Sequence, residues 1–417
     1  MLPYGSKSSL AFASTTVYYP LVSVIIPAYN AEQFIAKTLH SVLQQTYPNF
    51  EVVVVDDGSS DRTVEIVQSF ASKDARIILF CQANAGVAVA RNWGIIQSKG
   101  EFVATVDADD LWHPRNLEKQ VACMQEPGSA VGVVYSWSVD IDEWETLIGG
   151  IHAAAITGDV YYTLLCHNFL GNASATLIRR ICLEQVGGYD PQLKAQNAQG
   201  CEDWDLYLRL AQQYEFAAVP DFLVGYRKLP ESMSCDYSKM ARSHHFMLQA
   251  AKRRDPKIPE ALCRLSSSSF YLYLAHQCGN LGVTSRSEIQ TEQQPLFWLW
   301  QALKADVSPL IRPRFYSLLL QISLRIFKQK ILNQVSKHAQ DNILQENILQ
   351  ENTQKIEQEI THPDIAHQPG WERSVQSLEL SFRVKLKLLG GNMLHLLIRK
   401  GTLRQSRLPD PSLKIYK

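Results

Sequence analysis

The chain has 417 residues, enough for a principal domain with its own buried core plus at least one appendage. Lysine and arginine together number 41, as do aspartate and glutamate, which excludes a nucleic-acid binder working through an overall positive field. Eight scattered cysteines include no CxxC pair and no histidine at zinc-finger spacing, so they read as reduced thiols in a cytoplasmic protein.

Residues 1–20 read as an N-terminal extension. Its apolar stretch from Leu10 to Ala13 is too short for the core of a signal peptide. No run of about 18 or more uncharged apolar residues occurs, so no transmembrane span is expected.

From there short β-rich runs alternate with helical patterns. Val22 to Ile26, Glu51 to Val55, Arg76 to Phe80 and Phe102 to Val106 read as strands, the mark of a parallel α/β sheet. Between the first two, Phe34, Ile35, Leu39, Val42 and Leu43 recur at helical spacing and give one apolar face. A second helix starts near Asp61. A third covers roughly Gly86 to Ser98, with Val87, Ala90, Gly94 and Ile95 facing inward. Further strands follow at Val131 to Trp137 and near Ala173 to Ile178, then a helix opening near Glu202 that carries Trp204, Tyr207, Leu208 and Ala211 toward a core.

After about Met240 the alternation stops and the chain turns helical and polar. The pentad NILQE repeats at 342–346 and 347–351, which matches neither a heptad nor a solenoid period and suits an exposed helix or a linker. The expected division is therefore 21–238 for an α/β domain, with halves 21–130 and 131–238. A mainly helical region would span 239–417, with a polar linker around 338–370.

Three acidic groups carry candidate chemistry. Asp56-Asp57-Gly58-Ser59-Ser60-Asp61 follows the second strand, and ligands of open parallel sheets bind outside the carboxyl ends of strands. A carboxylate there can accept from a nucleobase N–H or a ribose hydroxyl. The same residues also suit a glycine-containing turn with Ser60 or Asp61 capping the next helix. Beyond the fourth strand, Asp107-Ala108-Asp109-Asp110 crowds like charges that a hard divalent cation would relieve, although an acidic solvated loop has the same appearance. Arg91 could reach a diphosphate or base from the opposite side or be an ordinary helix-face arginine. Glu202 and Asp203 open a predicted helix, where a carboxylate could act as general base or simply complement the helix dipole. No G-x-G-x-x-G follows the first strand and no G-x-x-x-x-G-K-[ST] occurs, so dinucleotide redox chemistry and P-loop phosphoryl transfer are unsupported.

Taken in order, these segments resemble the family 2 glycosyltransferases, inverting enzymes of the GT-A fold, over roughly Val22 to Ser234. The resemblance rests on Val22-Ser23-Val24-Ile25-Ile26-Pro27-Ala28-Tyr29-Asn30, Asp56-Asp57-Gly58-Ser59, and Ala90-Arg91-Asn92 followed by Gly94. Asp107-Ala108-Asp109-Asp110, Val186-Gly187-Gly188-Tyr189-Asp190, Glu202-Asp203 and Tyr226-Arg227 complete it. It implies a Rossmann-like mixed sheet flanked by helices, with a helical C-terminal extension. It also implies transfer of a sugar from a nucleotide-diphosphate donor, a UDP-sugar being expected, to a glycan or lipid-linked acceptor in cell-surface glycan synthesis.

By the same resemblance Pro27, Tyr29 and Asp57 would frame the base and ribose and Asp107 would lie against the ribose. Asp109 would hold Mg2+ or Mn2+. Asp203 would be the catalytic base, with Glu202 the second choice. Many relatives carry a histidine two residues after Tyr226-Arg227, whereas Leu229 stands here; Lys228 is the nearby positive charge. No Q-x-x-R-W motif follows Asp203, so single additions are expected. A carboxylate-pair glycoside hydrolase and an inactive sugar-nucleotide-binding protein are the alternatives.

Two stretches bear on location. Residues 307–340 contain Arg312, Arg314, Arg325, Lys328, Lys330 and Lys337 but no acid, and 381–409 repeat the combination of basic residues and leucines. Basic amphipathic helices of this kind lie on anionic membranes or pack on a catalytic domain with a basic outer face. The expected place is the cytoplasm, with peripheral contact at the inner face of the plasma membrane.

Overall fold

The computed structural model describes residues 18–126, 130–229, 232–280 and 294–311, with 315, 316, 318–320, 322 and 323. In chain order the elements are β1 (Val22–Ala28), α1 (Ile35–Leu43), β2 (Phe50–Asp56), α2 (Thr63–Ala71), β3 (Ile77–Cys81), α3 (Val87–Gln97) and β4 (Phe102–Thr105). Then come β5 (Leu111–Trp112), α4 (Asn116–Met124), β6 (Val131–Ile141), β7 (Leu147–His152), α5 (Tyr161–Cys166), β8 (Thr176–Arg179), α6 (Arg180–Val186) and α7 (Gln192–Ala195). The last are α8 (Glu202–Ala211), β9 (Glu215–Arg227), α9 (Tyr237–Arg254), α10 (Glu260–Asn280) and α11 (Gln294–Ala305).

These strands form one sheet in the order β3-β2-β1-β4-β8-β6-β9-β5, with β7 paired to β6. The first four are parallel, as their spacing implies. Beyond β4 the sheet is mixed: β8 runs antiparallel to both β4 and β6, while β6 and β9 are parallel. Side chains of β2 alternate, with Val52 and Val54 entering one core layer and Val53 and Val55 the other. That period of two leaves β2 buried on both faces. Each such apolar side chain contributes roughly 1.5–3 kcal/mol on leaving water.

Helix α3 lies close on β1 and β2 because Gly94 permits it. A Cβ there would come 2.6 Å from Ile25 Cγ2. Its buried face consists of Ala88, Ala90, Arg91, Gly94 and Ile95. Val87, expected inward, is only half-buried. The C-terminal helices are less polar than expected: Met247, Leu248, Leu274, Ala275, Trp298 and Leu299 join the core layer that holds Trp204 and Tyr207. The NILQE repeat, the linker around 338–370, the basic stretch at 381–409 and the six lysines and arginines of 307–340 lie outside the described residues.

Candidate functional site

The register of the parallel strands fixes where the site residues stand. Ala28 pairs with Asp56 and Ile25 with Thr105, so the turns after β1, β2 and β4 open side by side on the carboxyl edge of the sheet. Pro27 is buried inside β1, whereas Tyr29 stands beyond its end with 55% of its surface exposed. The two turns are latched together: Asn30 N–H donates to Ser59 Oγ at 2.9 Å, Ser60 N–H to Asn30 Oδ1 at 2.8 Å, and Ala31 N–H to Thr63 Oγ1 at 2.8 Å. Asn30 adopts φ 47, a left-handed conformation that asparagine tolerates.

Asp57 is buried and fully engaged. Gln82 Nε2 and Ala85 N–H each donate to its Oδ1 at 2.7 Å, and Gly86 N–H donates to its Oδ2 at 2.7 Å. Gly86 precedes α3 with φ 98, so the Asp57 carboxylate covers the positive end of that helix and fixes the loop leading into it. Gly58 is required in the same turn, since its φ is 79 and a Cβ would lie 2.9 Å from the Asn84 nitrogen.

The acids beyond β4 have three different environments. Asp107 is half-buried and accepts from Arg91 Nη2 at 2.5 Å. Asp110 is fully buried and both its oxygens are engaged: Ser174 Oγ donates to its Oδ2 at 2.5 Å and Arg227 N–H to its Oδ1 at 2.8 Å. Burial, with Asp109 and Asp107 nearby, holds Asp110 well above the usual carboxylate range. Asp109 is half-buried, and burial followed by the Asp107 charge pushes it up to about 7.

Arg91 is buried on α3, with its guanidinium 5.2 Å from the centre of the Tyr189 ring. The neighbouring Asn92 clamps the Tyr189 backbone from both sides, donating to its carbonyl and accepting from its N–H, both at 2.8 Å. Gly188 makes room for this clamp: a Cβ there would sit 2.6 Å from Asn92 Oδ1, and φ is 71. Two segments 97 positions apart in the chain are thereby joined.

Helix α8 brings the last pair. Glu202 is buried and its carboxylate accepts from Gly200 N–H at 2.8 Å, while Asp203 is half-buried and accepts from Trp204 N–H at 2.7 Å. Burial pushes Asp203 up to about 6, with Arg91 pulling it down and Glu202 and Asp107 adding to the rise. Burial also raises Glu202. Arg91, Asp107, Glu202 and Asp203 therefore share one electrostatic environment.

Asp107 and Asp109 supply hard oxygen donors in a half-buried position, which fits a divalent cation. Among the described residues no group of three or more His, Cys, Asp or Glu side chains could hold a metal. A cation here would take one or two carboxylates and complete its shell with phosphate oxygens and water, as Mg2+ does.

The Glycosyl transferase family 2 model matches residues 23–184, a span that includes the β1, β2 and β4 turns. TuaG of Bacillus subtilis (strain 168), a glycosyltransferase provisionally named for teichuronic acid biosynthesis, is 32% identical over 240 residues, covering 57% of this chain and 91% of TuaG. The chain belongs to glycosyltransferase family 2. An uncharacterized glycosyltransferase of Rickettsia bellii (strain RML369-C) is 39% identical over 161 residues, covering 38% of this chain but 23% of its own length. The solved structure of S. aureus TarS 1-349 in complex with UDP-GlcNAc is similar at 20% identity and a TM-score of 0.49, across 72% of this chain and 88% of that one. As a family 2 glycosyltransferase the protein has the GT-A fold, seen in its mixed sheet with flanking helices, and the glycoside-hydrolase alternative falls away.

Several contacts that shape the site of this glycosyltransferase have no signal in the sequence. Cys201 N–H, just before α8, donates to Ser243 Oγ of α9 at 3.1 Å. Trp204, beside Asp203, packs against the rings of His244 and Phe270, and its Nε1 donates to the Leu164 carbonyl at 2.8 Å. Arg227 is fully buried and donates to the carbonyls of Asp109 at 2.7 Å and Asp142 at 2.6 Å, holding the loop after β4. The nearby Lys228 places its Nζ 4.5 Å from the Tyr226 ring centre.

Proposed function

We propose that this glycosyltransferase moves a sugar with inversion from a nucleotide-diphosphate donor, a UDP-sugar, to an acceptor hydroxyl, with Mg2+ or Mn2+ as cofactor. The observation that carries the reading is the contrast in burial within the α8 pair. Each carboxylate accepts one backbone amide, but Glu202 is buried whereas Asp203 is half-buried and raised to about 6 in the electrostatic reach of Asp107. A carboxylate near pKa 6 is ionised at neutral pH yet basic enough to accept a proton in a transition state. Asp203 is the base in this reading and Glu202 is not.

Asp203 takes the proton from the acceptor hydroxyl as that oxygen attacks the anomeric carbon, and the bond to the nucleotide diphosphate breaks on the opposite face. Tyr29 offers an exposed ring to the donor base. Asp57 shapes the base pocket by holding the loop before α3, and its occupied oxygens argue for a framing role. Arg91 holds Asp107 in place for the ribose. Asp109, with Asp107 beside it, would hold the cation, which when bound offsets charge growing on the departing diphosphate.

TuaG's name refers to teichuronic acid biosynthesis. That similarity supports a role in cell-envelope polysaccharide synthesis; a glycan or lipid-linked acceptor and a cytoplasmic place are part of the proposal.

The test is release of nucleoside diphosphate from a panel of nucleotide sugars with Mn2+ or Mg2+, before and after EDTA, with the product anomer read by NMR once an acceptor is found. Release from one donor that stops with EDTA and returns with metal supports the reading. Release indifferent to EDTA, or a product that keeps the donor's anomeric configuration, overturns the metal or the inverting part of it.

A further inference from the structure

Helix α11 has two apolar faces. Pro295, Trp298, Leu299 and Ala302 are buried, with Trp298 and Leu299 in the core layer shared with α8 and α9. The opposite stripe carries Leu296, Phe297 and Trp300, of which Phe297 is 50% and Trp300 58% exposed, and the exposed Lys304 continues it one turn on with its Nζ 5.6 Å from the Trp300 ring centre. The spacing 297, 300, 304 is one helix face. A helix apolar all round expects a second partner.

Beyond the helix further apolar side chains are exposed, Val307 (68%), Tyr316 (54%) and Leu320 (60%). Tryptophan, phenylalanine and tyrosine mixed with leucine is the composition favoured at the boundary between lipid headgroups and acyl chains. In the sequence beyond Asp306 the charge is one-sided: residues 307–340 hold six lysines and arginines and no acid, the six lying outside the described residues. A partner that accepts aromatic side chains and demands positive charge is an anionic lipid surface. No helix of the described residues is long and apolar enough to cross a membrane, so contact through this helix would be interfacial.

We infer that the outer face of α11, Leu296, Phe297 and Trp300 with Lys304, is a docking surface for an anionic membrane. This goes beyond the transfer reaction and is independent of it. None of these residues is placed at the donor or acceptor site, so hydrolysis of soluble donor continues unchanged in their variants.

The experiment is hydroxyl-radical footprinting of the full chain, read residue by residue by mass spectrometry, alone and with vesicles of phosphatidylcholine or phosphatidylcholine plus phosphatidylglycerol. Flotation of wild type and the double variant Phe297→Ser/Trp300→Ser accompanies it. The expected result is that Phe297 and Trp300 are oxidised in the free protein and protected by the anionic vesicles only, and that the double variant loses about tenfold or more in vesicle affinity at unchanged circular dichroism.

Protection of both residues without vesicles in a monomer would mean the chain's own remaining segment covers them, and protection that appears with dimerisation would mean a second copy does. Either outcome overturns the proposal. So does vesicle binding that the double variant leaves intact, or protection equal on neutral and anionic vesicles.

Discussion

Arg91 Nη2 stands 2.5 Å from Asp107 Oδ1, an ion pair between α3 and the turn after β4 in which the arginine is buried and the aspartate half-buried. The pair ties a helix that Asp57 holds at its start to the acids at the sheet's edge. A buried ion pair stabilises little against an apolar replacement, but removing one partner leaves the other charged and alone. Arg91→Ala should therefore destabilise the fold by about 3 kcal/mol, the low end for such pairs because Asp107 keeps some water contact. Urea unfolding followed by circular dichroism measures it, and Arg91→Lys should recover part of the loss.

Asp57→Ala removes the acceptor of three hydrogen bonds and leaves the Ala85 and Gly86 amides at the start of α3 without it. Hydrogen bonds to a charged group contribute about 1.5–3 kcal/mol each in such mutant series, though neighbouring losses do not add fully. The expected outcome is a donor affinity weakened by about tenfold or more with a lowered melting temperature. Calorimetric titration with nucleoside diphosphate, alongside thermal unfolding, checks both.

Much of this frame was legible in the sequence, and the failures have physical causes. The strands β1, β2 and β4 were evident because parallel strands buried on both faces read as largely apolar runs, and β3, partly exposed at the sheet's edge, still reads as Ile77-Ile78-Leu79-Phe80. Arg91 was ambiguous because a helical arginine is ordinarily at the surface; only the fold shows that α3 buries it beside Tyr189 and Asp107. The three acids after β4 look alike in sequence, and what separates Asp110 from Asp109 is Ser174 and the Arg227 amide, more than sixty positions downstream. The bracing of α8 by Ser243 and His244 left no local signal, since each is an unremarkable helix residue until α9 packs.

Ser243→Ala tests that brace. It deprives the Cys201 amide of its acceptor, a cost of about 1–3 kcal/mol for a buried N–H, at the residue preceding α8. Ser243 touches neither donor nor acceptor in this reading and acts as a positioning residue. The expected signature is a reduced kcat with little change in donor KM, rescued by Ser243→Thr. An equal rise in KM for the donor would point to a general loss of structure.

The Asp203 pKa of about 6 sets a pH dependence with a definite sign. The base must be ionised, so kcat/KM should fall as pH drops through about 6 and level off above it. For stability the direction is opposite. The folded chain holds this proton up to about 6 while the unfolded chain releases it near 3.8, so this group's contribution to stability is lost as pH rises across that window. Wild type and Asp203→Asn compared by urea unfolding at several pH values should differ in that slope.

The most direct test of Asp203 as the base pairs donor binding with turnover in Asp203→Asn, using the donor that wild type hydrolyses or transfers. The predicted result is binding close to wild type with turnover reduced by about 10²–10⁴-fold, the usual contribution of a positioned general base. Turnover within a few-fold of wild type would contradict the assignment. Wild type that binds nucleotide sugar with metal but turns over none of it, even with acceptor extracts, would make the protein an inactive sugar-nucleotide binder instead.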